Sequence, residues 1–449
     1  MIFTQYYLGC LSHASYLVGD EQSGRAVVFD PQRDVSGYLR EAEQRGLHIE
    51  RVIETHFHAD FLSGHLELAA RTGASIAYGA AASDVEFDIE RLVDGQRFEL
   101  GDVQLQILET PGHTPESISI VVYEHRDDDV PYGVLTGDTL FIGDVGRPDL
   151  MAAIGVAPDD LARQLYRSLH TKLLVLPDAT RVFPAHGAGS ACGKNLSTEI
   201  ESTIGDQKRS NYALAPMTED EFVAIVTEGQ PTTPLYFSFD ARMNRSSRPL
   251  LAEDEPPPAL TLDDVLAHQL AGGVVLDTRE PFDFAAGHLP RAINVGLQGR
   301  FAEYCGDVLS PADAIALVGD PGTERETKVR LARIGFDRVV GYLDDAIAAF
   351  LERPDLLERS SRLTAPELVA RQATLEHLTI VDVRNPTETA AGAIPGSVAM
   401  PLPRLTSRVD ELDPTQPTVV YCASGYRSAT AASLLASRAF ADEAVSFGG

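Results

Sequence analysis

The sequence predicts a multi-domain α/β protein, and three observations carry that prediction. The chain has 449 residues, room for about three domains at roughly 150 residues each. An acidic, triple-proline stretch, Glu253-Asp-Glu-Pro-Pro-Pro-Ala259, reads as a stiff extended linker, and a weaker break falls at Leu351 to Ser361. These cuts give segments 1–252, 259–353 and 362–449. Finally, the last two segments repeat each other: Val274-Val-Leu-Asp-Thr-Arg-Glu-Pro281 matches Thr379-Ile-Val-Asp-Val-Arg-Asn-Pro386, and Gly287-His-Leu-Pro-Arg-Ala-Ile-Asn294 matches Gly392-Ala-Ile-Pro-Gly-Ser-Val-Ala399. Apolar runs bounded by turns and alternating with helical patterns predict parallel sheets in both.

Composition narrows the function classes. Apolar residues make up 44% and charged residues 23%, which excludes a disordered or fibrous chain. No apolar run approaches the ~18 residues of a membrane helix. The opening Met1-Ile-Phe-Thr-Gln-Tyr-Tyr7 lacks a basic region followed by an apolar one, so a soluble, cytoplasmic protein is expected. The net charge of −29 opposes phosphate backbones, so neither nucleic acid nor a membrane is expected as a partner. Cys10, Cys192, Cys305 and Cys422 are too few and too scattered for a disulfide framework. Cys10, in an apolar stretch, is expected in the core. The sequence leaves homo-oligomerisation open.

In the first segment Arg51 to Thr55 is a predicted strand, followed by a His-rich loop and a helix over Gly64 to Arg71. Val103 to Leu108 and Ile118 to Val122 alternate cleanly and predict strands of an antiparallel or mixed sheet. The loops carry the chemistry. Thr55-His-Phe-His-Ala-Asp60 places two imidazoles and a carboxylate directly after a strand, and Gly112-His113, Gly137-Asp138 and His186 each end a further apolar run. Loops at strand ends on one sheet edge converge, so these groups can share one site. Imidazole and carboxylate together suit Zn or Fe(II), and two His with one carboxylate form the facial triad of Fe(II) oxygen chemistry.

The order H-x-H-x-D, Gly-His, Gly-Asp and a late His resembles the metallo-β-lactamase-fold family over about the first 250 residues. The resemblance implies an N-terminal αβ/βα sandwich. Members with two metals carry a His directly after the Asp of the first motif, where this chain has Phe61. With His56 to His65 and Pro184 to Ser190, the chain looks most like the persulfide dioxygenase branch. That resemblance implies one Fe(II) per chain on His56, His113 and Asp138, with His58, Asp60 and His186 around it orienting ligands or substrate. Cys192, in the Gly-rich stretch after His186, either contacts the substrate thiol or packs in a turn.

Near the C-terminus, Thr418-Val-Val-Tyr-Cys422-Ala-Ser-Gly-Tyr-Arg427-Ser is a strand ending on a Cys, a tight loop and a helix over Ala429 to Leu435. Backbone N–H groups of such a loop form a nest that stabilises a thiolate or a persulfide, and Arg427 brackets it with a fixed cation. The loop, with Asp382-Val-Arg384 and Ile394-Pro-Gly-Ser397, resembles the rhodanese family, which implies that Cys422 carries sulfane sulfur. The middle segment aligns without a gap, but Asp320 replaces the cysteine and Glu324 adds negative charge. A carboxylate cannot accept sulfane sulfur, and Cys305 lies well upstream, so this rhodanese-like domain is expected to be inactive.

Together the resemblances imply a persulfide dioxygenase fused to a sulfurtransferase, acting on a small-molecule thiol persulfide, O2, sulfite and thiosulfate. The alternatives are a glyoxalase II-like thioester hydrolase with a Zn-activated water, and a non-enzymatic sulfane-sulfur carrier or sensor.

Overall fold

In the computed structural model, which describes residues 1–150, 155–375, 377–438, 440 and 445–447, the chain forms two compact units. One comprises Met1–Thr233 with Phe237–Leu251, the other Pro234–Tyr236 with Ala252–Gly449.

The alternating runs of the first unit build two six-stranded mixed sheets. The first runs, edge to edge, Ile2–Leu8, His13–Asp20, Arg25–Phe29, His48–Ile53, Ser75–Gly79 and Glu90–Leu92. The second runs Ser202–Thr203, Arg181–Pro184, Gly133–Gly137, Ile118–Tyr123, Val103–Glu109 and Arg97–Leu100. Period-two alternation sends one face of each sheet inward, where Val18, Phe29 and Ile53 meet Leu105, Ile120, Leu135 and Phe183. The outer faces are covered by helices. Tyr38 and Ala42 of Ser36–Arg45 and Leu68 of His65–Thr72 pack on Val28 and Val52. Leu165 of Pro158–Ser168 and Phe222 of Glu219–Thr227 belong with Val121 and Val134 on the other side. The expected αβ/βα sandwich is therefore present.

The repeat in the second unit becomes two five-stranded, wholly parallel sheets of one topology. The middle sheet orders Ala259–Leu260, Val339–Leu343, Ile315–Val318, Val274–Asp277 and Ile293–Asn294. The last orders Arg362–Leu363, Val445–Phe447, Thr418–Tyr421, Thr379–Asp382 and Val398–Ala399.

One expectation is corrected, and the linker at 253–259 gains partners: Arg325 Nε donates to the Glu253 carbonyl (2.8 Å), and Lys328 Nζ donates to the carbonyls of Ala252 (3.0 Å) and Glu255 (2.7 Å). Carbonyls that a proline-rich segment leaves without ladder partners are taken by cations of the helix Glu324–Ala332. Cys10 is not a core residue; it sits half-exposed in the turn between the first two strands. Among the described residues, no helix is long and apolar enough to cross a membrane.

Candidate metal centre and cysteine loop

Strand His48–Ile53 delivers the loop Thr55–Asp60, strand Val103–Glu109 delivers His113, Gly133–Gly137 delivers Asp138 and Arg181–Pro184 delivers His186. The four loops meet: one donor atom each from His56, His113 and Asp138 lies within 4.8 Å of the others, and all three residues are buried. Close packing sets up this convergence. Gly137 takes φ +52°, and a Cβ there would stand 2.7 Å from Thr55 Oγ1, so only glycine brings Asp138 this near the first loop.

Hydrogen bonds settle which atoms face inward. The Thr55 hydroxyl donates to Asp30 Oδ2 (2.9 Å), so His56 Nδ1–H must donate to Thr55 Oγ1 (2.9 Å), leaving the Nε2 lone pair free. His113 Nδ1–H donates to the Arg147 carbonyl (2.9 Å) and likewise presents Nε2. Asp138 Oδ1 accepts from His186 Nδ1 (2.7 Å), while Oδ2 stands 3.5 Å from His113 Nε2 and 3.7 Å from His56 Nε2. His186 Nε2 is in turn 2.7 Å from Asp60 Oδ2.

Electrostatics agree with that division. Burial holds the His56 and His113 imidazoles below their ordinary range, so both are neutral donors. Burial works against ionisation of Asp138 and Asp60, but His186 outweighs it and both stay below the usual carboxylate range. Burial likewise works against a charged His186, yet Asp138 and Asp60 hold it well above its ordinary range. His56 Nε2 and Asp138 Oδ2 remain buried without a hydrogen-bond partner. Leaving such atoms unsatisfied costs about 1–3 kcal/mol each, and a cation between them removes that cost. The three residues fit a metal ion.

Phe61 fills the neighbouring space. Its ring, 1% exposed, packs 4.0 Å from His13 and 4.4 Å from His58, centroid to centroid. His58 turns Nε2 toward Asp30 Oδ1 (3.0 Å) and Glu54 Oε2 (3.5 Å), although donor atoms of His58, Asp60 and His186 also come within 4.8 Å of one another. Cys192 faces the cluster: its sulfur lies within 4.8 Å of donor atoms of Asp138 and His186. Burial, then Asp60 and Asp138, push its thiol well above the ordinary range.

Sequence reasoning missed Asn244, which clamps the first loop from 181 to 186 residues away. Its Oδ1 accepts from Ser63 N (2.9 Å), and its Nδ2 donates to the carbonyls of His58 and Phe61 (2.8 Å each). A lone asparagine after a short helix carries no local signal. Asp30 did carry one, since it too stands just past an apolar strand.

In the second unit, Gly425 N (3.1 Å) and Ser428 N (3.4 Å) donate to Cys422 Sγ. Gly425, at φ +87°, turns the chain into the helix Tyr426–Ser437 so that both N–H groups face the sulfur. Arg427 is fixed as expected, but its guanidinium fork is occupied by Glu388 (2.7 and 2.8 Å). Asp320 is exposed in the corresponding loop, and Cys305 is buried in the helix Phe301–Val308, where burial pushes its thiol up.

A two-sheet sandwich with a buried His/Asp cluster at its strand ends defines a class of metal-dependent enzyme folds, and the comparisons name it. Residues 8–186 match the metallo-beta-lactamase superfamily, and residues 261–353 and 364–449 each match the rhodanese-like domain. The chain is 30% identical to a beta-lactamase hydrolase-like protein of Xylella fastidiosa over 254 residues, 50% of this chain and 55% of that protein. It therefore spans about half the length of that relative. A probable metallo-hydrolase of Burkholderia pseudomallei is 32% identical over 253 residues, 49% of this chain and 82% of that protein. The crystal structure of a metallo-beta-lactamase from Staphylococcus aureus superposes with a TM-score of 0.68 at 32% identity, covering 76% of this chain and 98% of that one. The chain belongs to the metallo-beta-lactamase superfamily, with two rhodanese-like domains following that fold.

Proposed function

We propose that the chain is a non-heme Fe(II) persulfide dioxygenase joined to a sulfurtransferase, with domains at 1–252, 259–353 and 362–449. The observation that carries this reading is the convergence of two neutral imidazoles and a carboxylate, beside which the buried Phe61 ring fills the neighbouring space. His56, His113 and Asp138 would hold the iron on one face. When bound, Fe(II) supplies open coordination positions and the redox capacity, absent in Zn, for O2 to oxidise a persulfide. The balance is RSSH + O2 + H2O → RSH + sulfite + two protons.

The chain's own residues do the rest. Asp30 and Thr55 fix the His56 ring, the Arg147 carbonyl fixes His113, and Asp60 through His186 fixes Asp138. The Cys192 sulfur, beside the cluster, is placed to meet the sulfur of the incoming substrate. At the other site Cys422 holds sulfane sulfur in its nest, and attack by sulfite on that outer sulfur releases thiosulfate and the Cys422 thiolate. Arg427, anchored on Glu388, keeps positive charge at the rim where these anions arrive.

The test is His113→Ala. One of three protein ligands is lost, so iron content and persulfide-dependent O2 uptake should fall at least about a hundredfold, with sulfur transfer at Cys422 unchanged. Full O2 uptake would sink the assignment. A second reading, a metal-dependent thioester hydrolase, is favoured by the convergence of His58, Asp60 and His186, which could hold another metal.

A further inference from the structure

The geometry points to Tyr426 as a positioning residue through which the cysteine-free middle domain holds the Cys422 loop in its thiol-binding shape. The inference rests on the sulfurtransferase reading above. Tyr426 is the residue after Gly425 and lies two before Ser428, so it sits between the two N–H groups that face Cys422 Sγ. Its own side chain leaves the domain. The hydroxyl donates to the Gly296 carbonyl, and the ring lies 5.3 Å from that of Tyr304, tilted by 46°. Burial keeps this phenol protonated far into the alkaline range, so it remains a donor wherever a thiolate is used.

The acceptor is held on both sides. Val295 N donates to the Asp277 carbonyl (3.0 Å) and Leu297 N to the Thr278 carbonyl (2.9 Å), so the residues flanking Gly296 are pinned to the middle sheet. There is also no slack at the contact: a Cβ on Gly296 would stand 3.2 Å from Tyr426 Cε2. A loop whose N–H groups must converge on one sulfur is thereby braced from outside its own domain. The aligned position in the middle domain is Glu324, which has no such brace to offer. The middle domain, without a nucleophile, thus contributes to the reactivity of the last one.

The two domains make a second contact that separates this inference from simple docking. Asn294 N donates to Ser433 Oγ (2.9 Å) on the same helix but away from the loop. The test uses the full chain and iodoacetamide, following Cys422 alkylation by peptide mass spectrometry from neutral to alkaline pH. Tyr426→Phe removes only the hydroxyl, and Gly296→Ala crowds the ring from the other domain. Both should displace the alkylation profile to higher pH and slow the reaction at neutral pH about three- to tenfold. Ser433→Ala should leave the profile in place. A Tyr426→Phe profile superimposed on wild type would overturn the inference, as would an equal displacement in Ser433→Ala. Absence of sulfur transfer from thiosulfate in wild type would sink the sulfurtransferase reading alone, because alkylation needs no sulfur substrate.

Discussion

The two rhodanese-like domains share one sheet topology and part at the loop after the fourth strand in chain order. Asp277 and Arg279 form a buried pair that Asp382 and Arg384 repeat part-buried, and each arginine also donates to a glycine carbonyl, Gly287 (2.9 Å) and Gly392 (2.7 Å). At the loop they part. Gly425 takes φ +87° and aims its N–H at Cys422 Sγ, whereas Thr323 takes φ −96° and its N–H and hydroxyl both donate to the Asp320 carbonyl (3.2 and 2.7 Å). The middle loop closes on its own backbone instead of on a ligand. Asp320, Glu324, Asp344 and Asp345 line the adjacent cavity of about 140 Å³, which makes it hostile to an anion. The nucleophile, the place of the left-handed turn (Gly322, φ +86°, one aligned position earlier than Gly425) and the local charge therefore all differ, and restoring one of them should not restore the chemistry.

The largest expected effect breaks the intact side. Cys422→Ser should lower sulfur transfer from thiosulfate to cyanide by at least about a hundredfold, because a hydroxyl forms no stable persulfide. The His56/His113/Asp138 cluster, 422 − 138 = 284 residues away in sequence, is untouched, so under the proposed function O2 uptake should persist with sulfite rather than thiosulfate accumulating. Identical sulfite-to-thiosulfate ratios in the two proteins, by chromatography of the trapped products, would show that the sites are not coupled through Cys422.

A smaller effect is expected on the degenerate side. In a Cys422→Ser background, Asp320→Cys alone should give no measurable transfer, since Thr323 and Glu324 remain. Adding Thr323→Gly and Glu324→Tyr should yield a detectable gain, roughly a tenth of wild type or less. Robust transfer by Asp320→Cys alone would erase the backbone part of the comparison. The smallest effect concerns the shared scaffold. Arg279→Lys and Arg384→Lys each lose a bidentate pair, and urea unfolding should show a cost of about 2 kcal/mol for the first and about 1 kcal/mol for the second. The ordering follows exposure, 8% for the Arg279 side chain against 17% for Arg384.

Much of this was legible in the sequence, and particular residues show why. Val103 to Leu108 and Ile118 to Val122 alternate because one sheet face is core, and the strands Val103–Glu109 and Ile118–Tyr123 follow. His56, His113, Asp138 and His186 were findable because each stands directly past such a run. The Asp320 substitution was readable from the internal repeat alone. Long-range partners were not. Nothing local marks Asn244 as the clamp on His58 and Phe61, or Gly296 as the acceptor for Tyr426 across 130 residues. Charge pairing also hid: the partner that fixes Arg427, Glu388, lies 39 residues upstream in a separate helix.

A single redox metal on His56, His113 and Asp138 underlies the proposed chemistry. Metal analysis of the 449-residue chain purified without oxygen checks it. About one iron per chain is expected, with O2 consumed when a thiol persulfide is added. About two zinc ions per chain, with thioester hydrolysis and no O2 uptake, would contradict it.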